Sequence, residues 1–116
     1  MNYNQSKIHI SNLNSYLSKS NCSDFRIEKF DGCKLYIVGS FDLCYYYEVK
    51  IIFHEVSEII MNSYFNLDLM STLFKIKKID EQLINVYVFD DENKKQSIIC
   101  EKVLVEIDTI KYLNSH

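Results

Sequence analysis

The stretch that decides the fold is residues 41–65, FDLCYYYEVKIIFHEVSEIIMNSYF, which is the longest apolar and aromatic run in the chain. Its centre alternates with a period of two. One phase holds Tyr47, Val49, Ile51 and Phe53, and the other holds Glu48, Lys50, Ile52 and His54. Because successive side chains of a strand point to opposite faces, this pattern predicts a strand with one apolar face and one mixed face.

The end of the same stretch is open to two interpretations. Residues 55–58 interrupt the alternation, and Ile59, Met61 and Phe65 then fit a further strand. A helix over residues 56–65 is the alternative, since Val56, Ile59 and Ile60 also fit a period of 3.6. The β-branched and aromatic content favours the strand.

The segment before this stretch predicts a β-hairpin. Alternation through Phe30 leads into Asp31-Gly32, after which Leu35 and Ile37 share one face while Tyr36 and Val38 share the other. An Asp-Gly pair between such runs supplies the positive φ angles of a two-residue type I′ turn. Gly39 and Ser40 then predict a bend or a bulge.

One helix is predicted near the start of the chain. Ile10, Leu13 and Leu17 recur at helical spacing, which favours a short amphipathic helix over residues 8–20, laid on a sheet, with Ser6 or Ser11 as its N-cap. The polar residues before it, MNYNQSK, are expected to be irregular.

The C-terminal half continues the β pattern. LFKIKKI from Leu73 predicts an edge strand guarded by lysines, LINVYVF from Leu83 a central strand, and DDENKKQ from Asp90 a solvated turn. SIICEKVLVEI changes phase, so a bulge is expected near residues 101–102, and the tail from Asp108 is expected to be solvated. The fold class is therefore mostly β (α+β), an antiparallel β-sandwich or open barrel of about seven strands with one N-terminal helix, in a single domain over residues 1–116.

Length and composition exclude several classes of protein. The 116 residues are 47% hydrophobic and carry a net charge of −3 with a single arginine, Arg26. This predicts a folded domain without the electrostatic footprint of a nucleic-acid-binding protein. The sequence offers no apolar run long enough to span a membrane and no secretory signal, so a cytoplasmic protein without membrane contact is expected. In that compartment the four cysteines are expected to be reduced and buried.

The sequence gives no arrangement typical of an active site. Cys44 with His54 and Asp42 is the nearest grouping of a nucleophile and a base, but it matches no hydrolase signature. The histidines at 9, 54 and 116 lack metal-ligand spacing, and Asp90-Asp91 lies in a turn. We therefore expect a protein that is not an enzyme and that holds no metal or cofactor.

A protein-binding role is the hypothesis that the central stretch favours. Tyrosine is enriched at interfaces because its ring is large, rigid and polar at the tip, and the charges between residues 41 and 58 are mostly acidic. The predicted partner-binding residues are Asp42, Tyr45, Tyr46, Tyr47, Glu48, His54, Glu55 and Glu58. The competing interpretation is that these tyrosines pack beneath the helix.

The central segment also resembles small β-rich bacterial domains, some of which are immunity proteins of interbacterial toxin systems. The matching words are LYIVGSFD, CYYYEVKIIFHEVSEII, FKI and IICEKVLVEI. The chain departs from that pattern in carrying Tyr47-Glu48 where His-Asp would stand, so no role of that histidine transfers. The resemblance implies an inhibitor that binds and neutralises a cognate, basic toxin domain in the cytoplasm.

Two further functions remain as alternatives. One is a small-molecule-binding β domain whose cavity is lined by Tyr36, Tyr47, Phe53, Tyr64 and Tyr87. The other is a cysteine-dependent enzyme, which would require a thiol of low pKa at Cys44.

Overall fold

The structure is a computed structural model that describes residues 2–41, 46–68 and 73–111, and within them the chain forms one helix and nine strands. The elements are α1 (Asn2–Leu17), β1 (Asp24–Asp31), β2 (Lys34–Ser40), β3 (Tyr46–His54), β4 (Glu58–Ile60), β5 (Tyr64–Asn66), β6 (Lys75–Lys78), β7 (Ile84–Phe89), β8 (Lys95–Cys100) and β9 (Lys102–Lys111). The mostly β, α+β fold is confirmed, with nine strands in place of about seven.

The strands form two antiparallel sheets. One has five strands in the order β5-β1-β2-β3-β9, and the other has four in the order β4-β8-β7-β6. The sheets meet at a corner, where β3 leads into β4 and β8 leads into β9. Glu101 N–H donates to the His54 carbonyl (3.0 Å) and Ser57 N–H donates to the Ile99 carbonyl (2.8 Å), so the two segments stay paired as they change sheet. The break expected near residues 101–102 is thus a crossing between sheets.

A single core joins the helix to both sheets. Its members are fully or almost fully buried, and they come from α1 (Ile10, Leu13, Leu17), from the five-stranded sheet (Phe25, Leu35, Ile37, Val49, Ile51, Phe53, Phe65, Val103), from the four-stranded sheet (Ile84, Val86, Val88, Ile98, Cys100) and from connecting segments (Cys22, Leu67, Phe74). Burial of each large aliphatic side chain contributes about 1.5–3 kcal/mol. The apolar phases of the predicted helix and of β2, β3 and β7 therefore face one interior.

The helix begins at Asn2 rather than at residue 8 and ends at Leu17 rather than at residue 20. Its first turns contact the sheet through polar side chains, which apolar periodicity cannot detect. Ser6 is no cap: it is buried, and its Oγ accepts from Val103 N–H (3.0 Å), while His9 Nδ1 accepts from Val105 N–H (3.0 Å). These bonds satisfy amides that an edge strand such as β9 would otherwise leave unpaired.

Asn14 makes the same kind of contact with the other sheet. Phe74 N–H donates to Asn14 Oδ1 (2.9 Å), and Asn14 Nδ2 donates to the Phe74 carbonyl (2.9 Å), just before edge strand β6. The helix therefore covers one edge of each sheet with hydrogen bonds as well as with apolar contacts.

The predicted hairpin is confirmed, but its turn is shifted by one residue. Asp31 pairs with Lys34, so the two loop residues are Gly32 and Cys33. Gly32 has φ +65° and Cys33 is not among the residues with positive φ, which fits a type II′ turn, with glycine in the first loop position. The prediction of a type I′ Asp-Gly turn was wrong, because Asp31 continues the ladder.

Gly39 lies in a regular part of β2, and the predicted bend is absent there. It pairs with Phe25 of β1, and a Cβ at Gly39 would lie 2.4 Å from Phe25 Cε2. The glycine is required because the Phe25 ring fills the space that a Cβ would occupy, and an aromatic ring placed in this way also compensates for the missing side chain.

The strand interpretation of residues 56–65 is confirmed over the helix, but the segment is divided. β4 pairs with β8 and β5 pairs with β1, so the two short strands belong to different sheets. Between them Asn62 N–H donates to Gln96 Oε1 (2.7 Å) and the Ser63 carbonyl accepts from Ile27 N–H (2.8 Å). Hydrogen bonds of this kind leave no periodic pattern in the sequence, so the division of the segment could not be predicted from it.

The C-terminal predictions hold with one correction. β6 is a lysine-flanked edge strand and β7 is central, as expected. Asp90, expected to be solvated, is buried, and its carboxylate accepts from the N–H groups of Glu92 (2.9 Å) and Lys94 (2.8 Å) and from Gln96 Nε2 (3.1 Å). Asp108 is exposed, as expected for the start of the tail, and β9 continues to Lys111; residues 112–116 lie outside the described part of the chain.

Candidate functional site

Tyr47 lies on the outer face of the five-stranded sheet, away from the core. The ladder between β3 and β9 is irregular between Tyr47 and Val49, where a step of two residues along β3 corresponds to a step of three along β9, so the regular alternation of side chains does not extend to Tyr47. Tyr47 therefore shares a face with Lys50, whose Nζ is 5.4 Å from the centroid of its ring. The prediction that Tyr47 belongs to the apolar phase with Val49, Ile51 and Phe53 was wrong for this reason.

Lys50 connects two tyrosine rings on that face. Its Nζ lies 5.7 Å from the ring centroid of Tyr36, on the neighbouring strand, and forms an ion pair with Glu28 Oε1 at 3.5 Å. Burial alone would lower the pKa of Lys50, but its hydrogen bond with Tyr47 and the charge of Glu28 outweigh that effect and raise the pKa. The ammonium therefore stays charged and holds both rings in place.

A shallow pocket of about 230 Å³ opens beside Tyr47. It is lined by Tyr47 and Lys50 from β3 and by Glu106, Ile107 and Asp108 from β9. The three β9 side chains are exposed, Ile107 by 40%. We call this surface the Tyr47 face, and its members are Tyr36, Tyr47, Lys50, Glu106, Ile107 and Asp108.

Glu48 points away from the Tyr47 face, towards the helix. Its carboxylate accepts from the Tyr16 hydroxyl and from Phe41 N–H (2.9 Å). The pKa of Tyr16 is raised well above its usual value, mainly by burial and next by the hydrogen bond to Glu48 and its charge. Tyr46, which is half-buried, adds to the same shift. Glu48 thus links the helix to the start of β3. The competing interpretation, that the tyrosines of residues 45–47 pack beneath the helix, fits Tyr46 in part, because it is half-buried and acts on Tyr16 of the helix.

His54 and Glu55 lie at the corner between the sheets. They line a small groove of about 250 Å³ with Glu101 and Lys102. His54 Nε2 is buried and has no hydrogen-bond partner among the described residues. Burial and the charge of Lys102 lower the pKa of His54, which favours its neutral form. Glu55, with φ +54°, accepts a hydrogen bond from the Cys33 thiol (3.2 Å).

The structure does not gather the predicted partner-binding residues into one patch. Tyr47 is on the outer face of the five-stranded sheet, Tyr46 and Glu48 adjoin the helix, His54 and Glu55 are at the corner, and Glu58 is on the outer face of the four-stranded sheet. Asp42 and Tyr45 lie outside the described residues. The bulge at Tyr47 and the change of sheet after His54 separate residues that a continuous strand would have kept together.

A second surface feature has no counterpart in the sequence-based predictions. The outer face of the four-stranded sheet forms an open groove of about 570 Å³. We call it the lysine groove, and it is lined by Glu58, Ile60, Lys77, Lys78, Ile79, Asn85, Lys95, Ser97 and Ile99. The pattern Lys75-Ile76-Lys77-Lys78 was interpreted only as a guarded edge strand, and nothing in the sequence indicates that Lys95 of β8 lies on the same face.

The aromatic residues proposed to line a ligand cavity are spread over separate parts of the fold. Phe53 is in the core, and Tyr36 and Tyr47 are on the outer face of the five-stranded sheet. Tyr87 is on the outer face of the four-stranded sheet, because its neighbours along β7, Val86 and Val88, face inward. Tyr64 is exposed on edge strand β5. These five side chains do not line a common cavity.

The described thiols are not activated. Cys22 and Cys100 are buried, and burial raises the pKa of each, that of Cys100 to about 12. Cys33 is exposed, contrary to the expectation of burial, because it occupies the hairpin turn; its hydrogen bond to Glu55 raises its pKa. Cys44 lies outside the described residues. Within residues 2–41, 46–68 and 73–111, no group of three or more His, Cys, Asp or Glu side chains could hold a metal ion.

No described helix has the length and apolar character needed to cross a bilayer. Comparisons of the chain with protein-family models, with curated proteins and with solved structures gave no match.

Proposed function

We propose that the protein is a non-enzymatic, immunity-type inhibitor that acts in the cytoplasm by binding a cognate bacterial toxin domain. The observation that carries this proposal is the Tyr47 face, an open sheet surface on which two tyrosine rings are held by one lysine and bordered by carboxylates. The sequence resemblance described above points to the same class of protein.

The Tyr47 face has the properties of a binding hot spot. Hot spots are enriched in tyrosine and are strongest where side chains are already fixed, because less conformational entropy is lost on binding. Tyr36 lies between Lys29, whose Nζ is 4.7 Å from the ring centroid, and Lys50. The rings therefore offer rigid apolar area with polar tips, bordered by exposed Ile107.

The charges near Tyr47 favour a basic partner. The acidic side chains here are Glu28, Glu106 and Asp108, against the lysines Lys29 and Lys50, and Lys50 forms an ion pair with Glu28 at 3.5 Å. The chain as a whole carries a charge of −3. Complementary charge of this kind accelerates encounter with a basic toxin domain and suppresses wrong partners.

Binding to the toxin encoded beside its gene tests the proposal. Isothermal titration calorimetry with that toxin domain should give a complex, and Tyr47→Ala should weaken it about 30-fold or more, the loss expected for a hot-spot side chain of about 2 kcal/mol. Tyr64→Ala is the matched control, because Tyr64 is 51% exposed on β5 and lies outside the Tyr47 face. Absence of a complex, or equal losses for both variants, would contradict the proposal.

A further inference from the structure

The lysine groove combines an apolar floor with a cationic rim. Ile99 lies on its floor, and Ile60 and Ile79, which are 58% and 47% exposed, border it. A group of exposed apolar side chains with a polar rim marks an interaction site more often than a single exposed apolar side chain does. An occupant must therefore present apolar side chains to this surface.

The rim has an excess of unpaired positive charge. Lys77, Lys78 and Lys95 line the groove, and Lys75 lies on the same strand as Lys77, opposite Tyr87. In the part of the chain that the structure describes, neither the Lys50–Glu28 nor the Lys94–Glu92 ion pair includes any of these four lysines. Glu58 is the one acidic side chain in the lining. The sign of this face is opposite to the net charge of −3 of the whole chain.

The polar groups on the floor are already engaged. Asn85 Nδ2 donates to Ser97 Oγ (2.7 Å) and to the Ile98 carbonyl (3.2 Å). Recognition in this groove therefore depends on the ammonium groups and the isoleucines rather than on the amide of Asn85.

We propose that the lysine groove binds an acidic segment of a protein partner in extended conformation, with carboxylates on the lysines and aliphatic side chains on the isoleucines. Lys75 and Lys77 are two residues apart on β6, a separation of about 6.5–7 Å along a strand. Alternate residues of an extended peptide have the same spacing, so acidic side chains two residues apart match this pair. The groove is open along the sheet rather than enclosed, which suits a chain segment better than a compact ligand.

Nucleic acid fits this surface less well. The only arginine of the chain, Arg26, is in β1 of the other sheet. Isoleucine side chains neither stack on bases nor form hydrogen bonds with them, whereas single-strand binders use exposed aromatic platforms. Tyr87, the aromatic ring closest to such a role, is covered by Lys95, whose Nζ is 4.5 Å from its centroid.

A fluorescein-labelled peptide of alternating glutamate and leucine, (Glu-Leu)₄, titrated with the full chain at low and at physiological salt, tests the proposal by fluorescence anisotropy. Saturable binding is expected, weaker at higher salt because exposed charges are screened. The peptides (Gln-Leu)₄ and (Glu-Ser)₄ should each bind at least tenfold more weakly, since one lacks the charge and the other the apolar side chains.

Two variants locate the binding. Lys77→Glu with Lys95→Glu should weaken peptide binding at least tenfold, and Ile79→Ser should weaken it several-fold. Lys29→Glu is the matched control, because Lys29 is an exposed lysine on the five-stranded sheet and should change binding less than twofold. Circular dichroism should show that all variants remain folded, since the side chains concerned are exposed.

Three results would overturn the inference. They are the absence of saturable binding, an equal loss for Lys29→Glu, and tighter binding of a fluorescein-labelled oligothymidylate than of the peptide. The toxin-binding test of the Tyr47 face is independent of this outcome, because the double lysine variant leaves that face unchanged.

Discussion

Replacing Gly39 with alanine should destabilise the protein, because the new methyl group would occupy space that the Phe25 ring fills. A Cβ at residue 39 would lie 2.4 Å from Phe25 Cε2 and 2.8 Å from Cζ, whereas favourable carbon contacts are about 3.5–4.0 Å. The ring cannot withdraw easily, since it is fully buried, stacks on Phe65 with centroids 5.6 Å apart, and meets Phe74 edge-on at 5.7 Å.

The size of the effect follows from two opposing terms. Overpacking of a filled core costs about 1–3 kcal/mol, and replacing glycine by alanine at a compatible backbone position returns about 0.4–1 kcal/mol by restricting the unfolded chain. We expect a net loss of about 1–2 kcal/mol in the free energy of unfolding, or roughly 4–10 °C in Tm. Urea unfolding followed by far-UV circular dichroism would measure it.

The same substitution in a Phe25→Val background isolates the cause. Valine lacks the Cδ2, Cε2 and Cζ atoms that crowd residue 39, so there Gly39→Ala should be neutral or stabilising by up to about 1 kcal/mol. Gly32→Ala is the control, because nothing lies within 4 Å of its added Cβ and its cost arises from φ +65° alone; it should cost the same in both backgrounds. Equal losses for Gly39→Ala in both backgrounds, within about 0.5 kcal/mol, would refute the reasoning.

Three further predictions concern polar side chains. Tyr16→Phe removes the hydroxyl that donates to Glu48 and should lower the free energy of unfolding by about 1–2 kcal/mol in urea titrations, with no added effect when Glu48→Ala has already removed the acceptor; additive losses would contradict the pairing. Asp90→Ala deprives two turn amides and Gln96 of their acceptor and should cost about 2–4 kcal/mol by the same assay, so a loss below 0.5 kcal/mol would count against it. The pKa of His54 is lowered in the folded state, so the histidine binds a proton more readily in the unfolded chain. The contribution of His54 to stability is therefore present above pH ~6.5 and is lost as the pH falls below that value. Unfolding at pH 7.5 and 5.5 should therefore show a smaller pH dependence for His54→Gln than for the parent chain, and an unchanged or larger dependence would be inconsistent with this sign.

The periodic parts of the sequence predicted the strands well. Most of the features that periodicity did not predict depend on polar contacts. Alternation at Val49, Ile51 and Phe53 located β3 because burial alone determines that pattern. The first turns of α1 were missed because Ser6 and His9 contact β9 by hydrogen bonds between residues almost the whole chain apart. No local window contains both members of such a pair.

The candidate sites were less predictable than the fold. Tyr47 was assigned both to the predicted partner-binding set and to the apolar phase of β3, and the structure places its ring beside Lys50 on the outer face, next to an irregular part of the β3–β9 ladder. Glu48, Glu55 and Glu58 looked like one acidic cluster in the sequence, but a helix contact, a left-handed turn and a change of sheet direct them to different surroundings. The lysine groove was missed because its cations come from β6 and β8, which are brought together only by pairing with β7.

The contact between Ser6 and Val103 also has a consequence for how the molecule is made on the ribosome. The helix α1 cannot take its final place until β9 has emerged, since these residues are 97 positions apart. The sheet edge therefore stays unfinished while the strands between them are made, and the native state should appear in one late, concerted step.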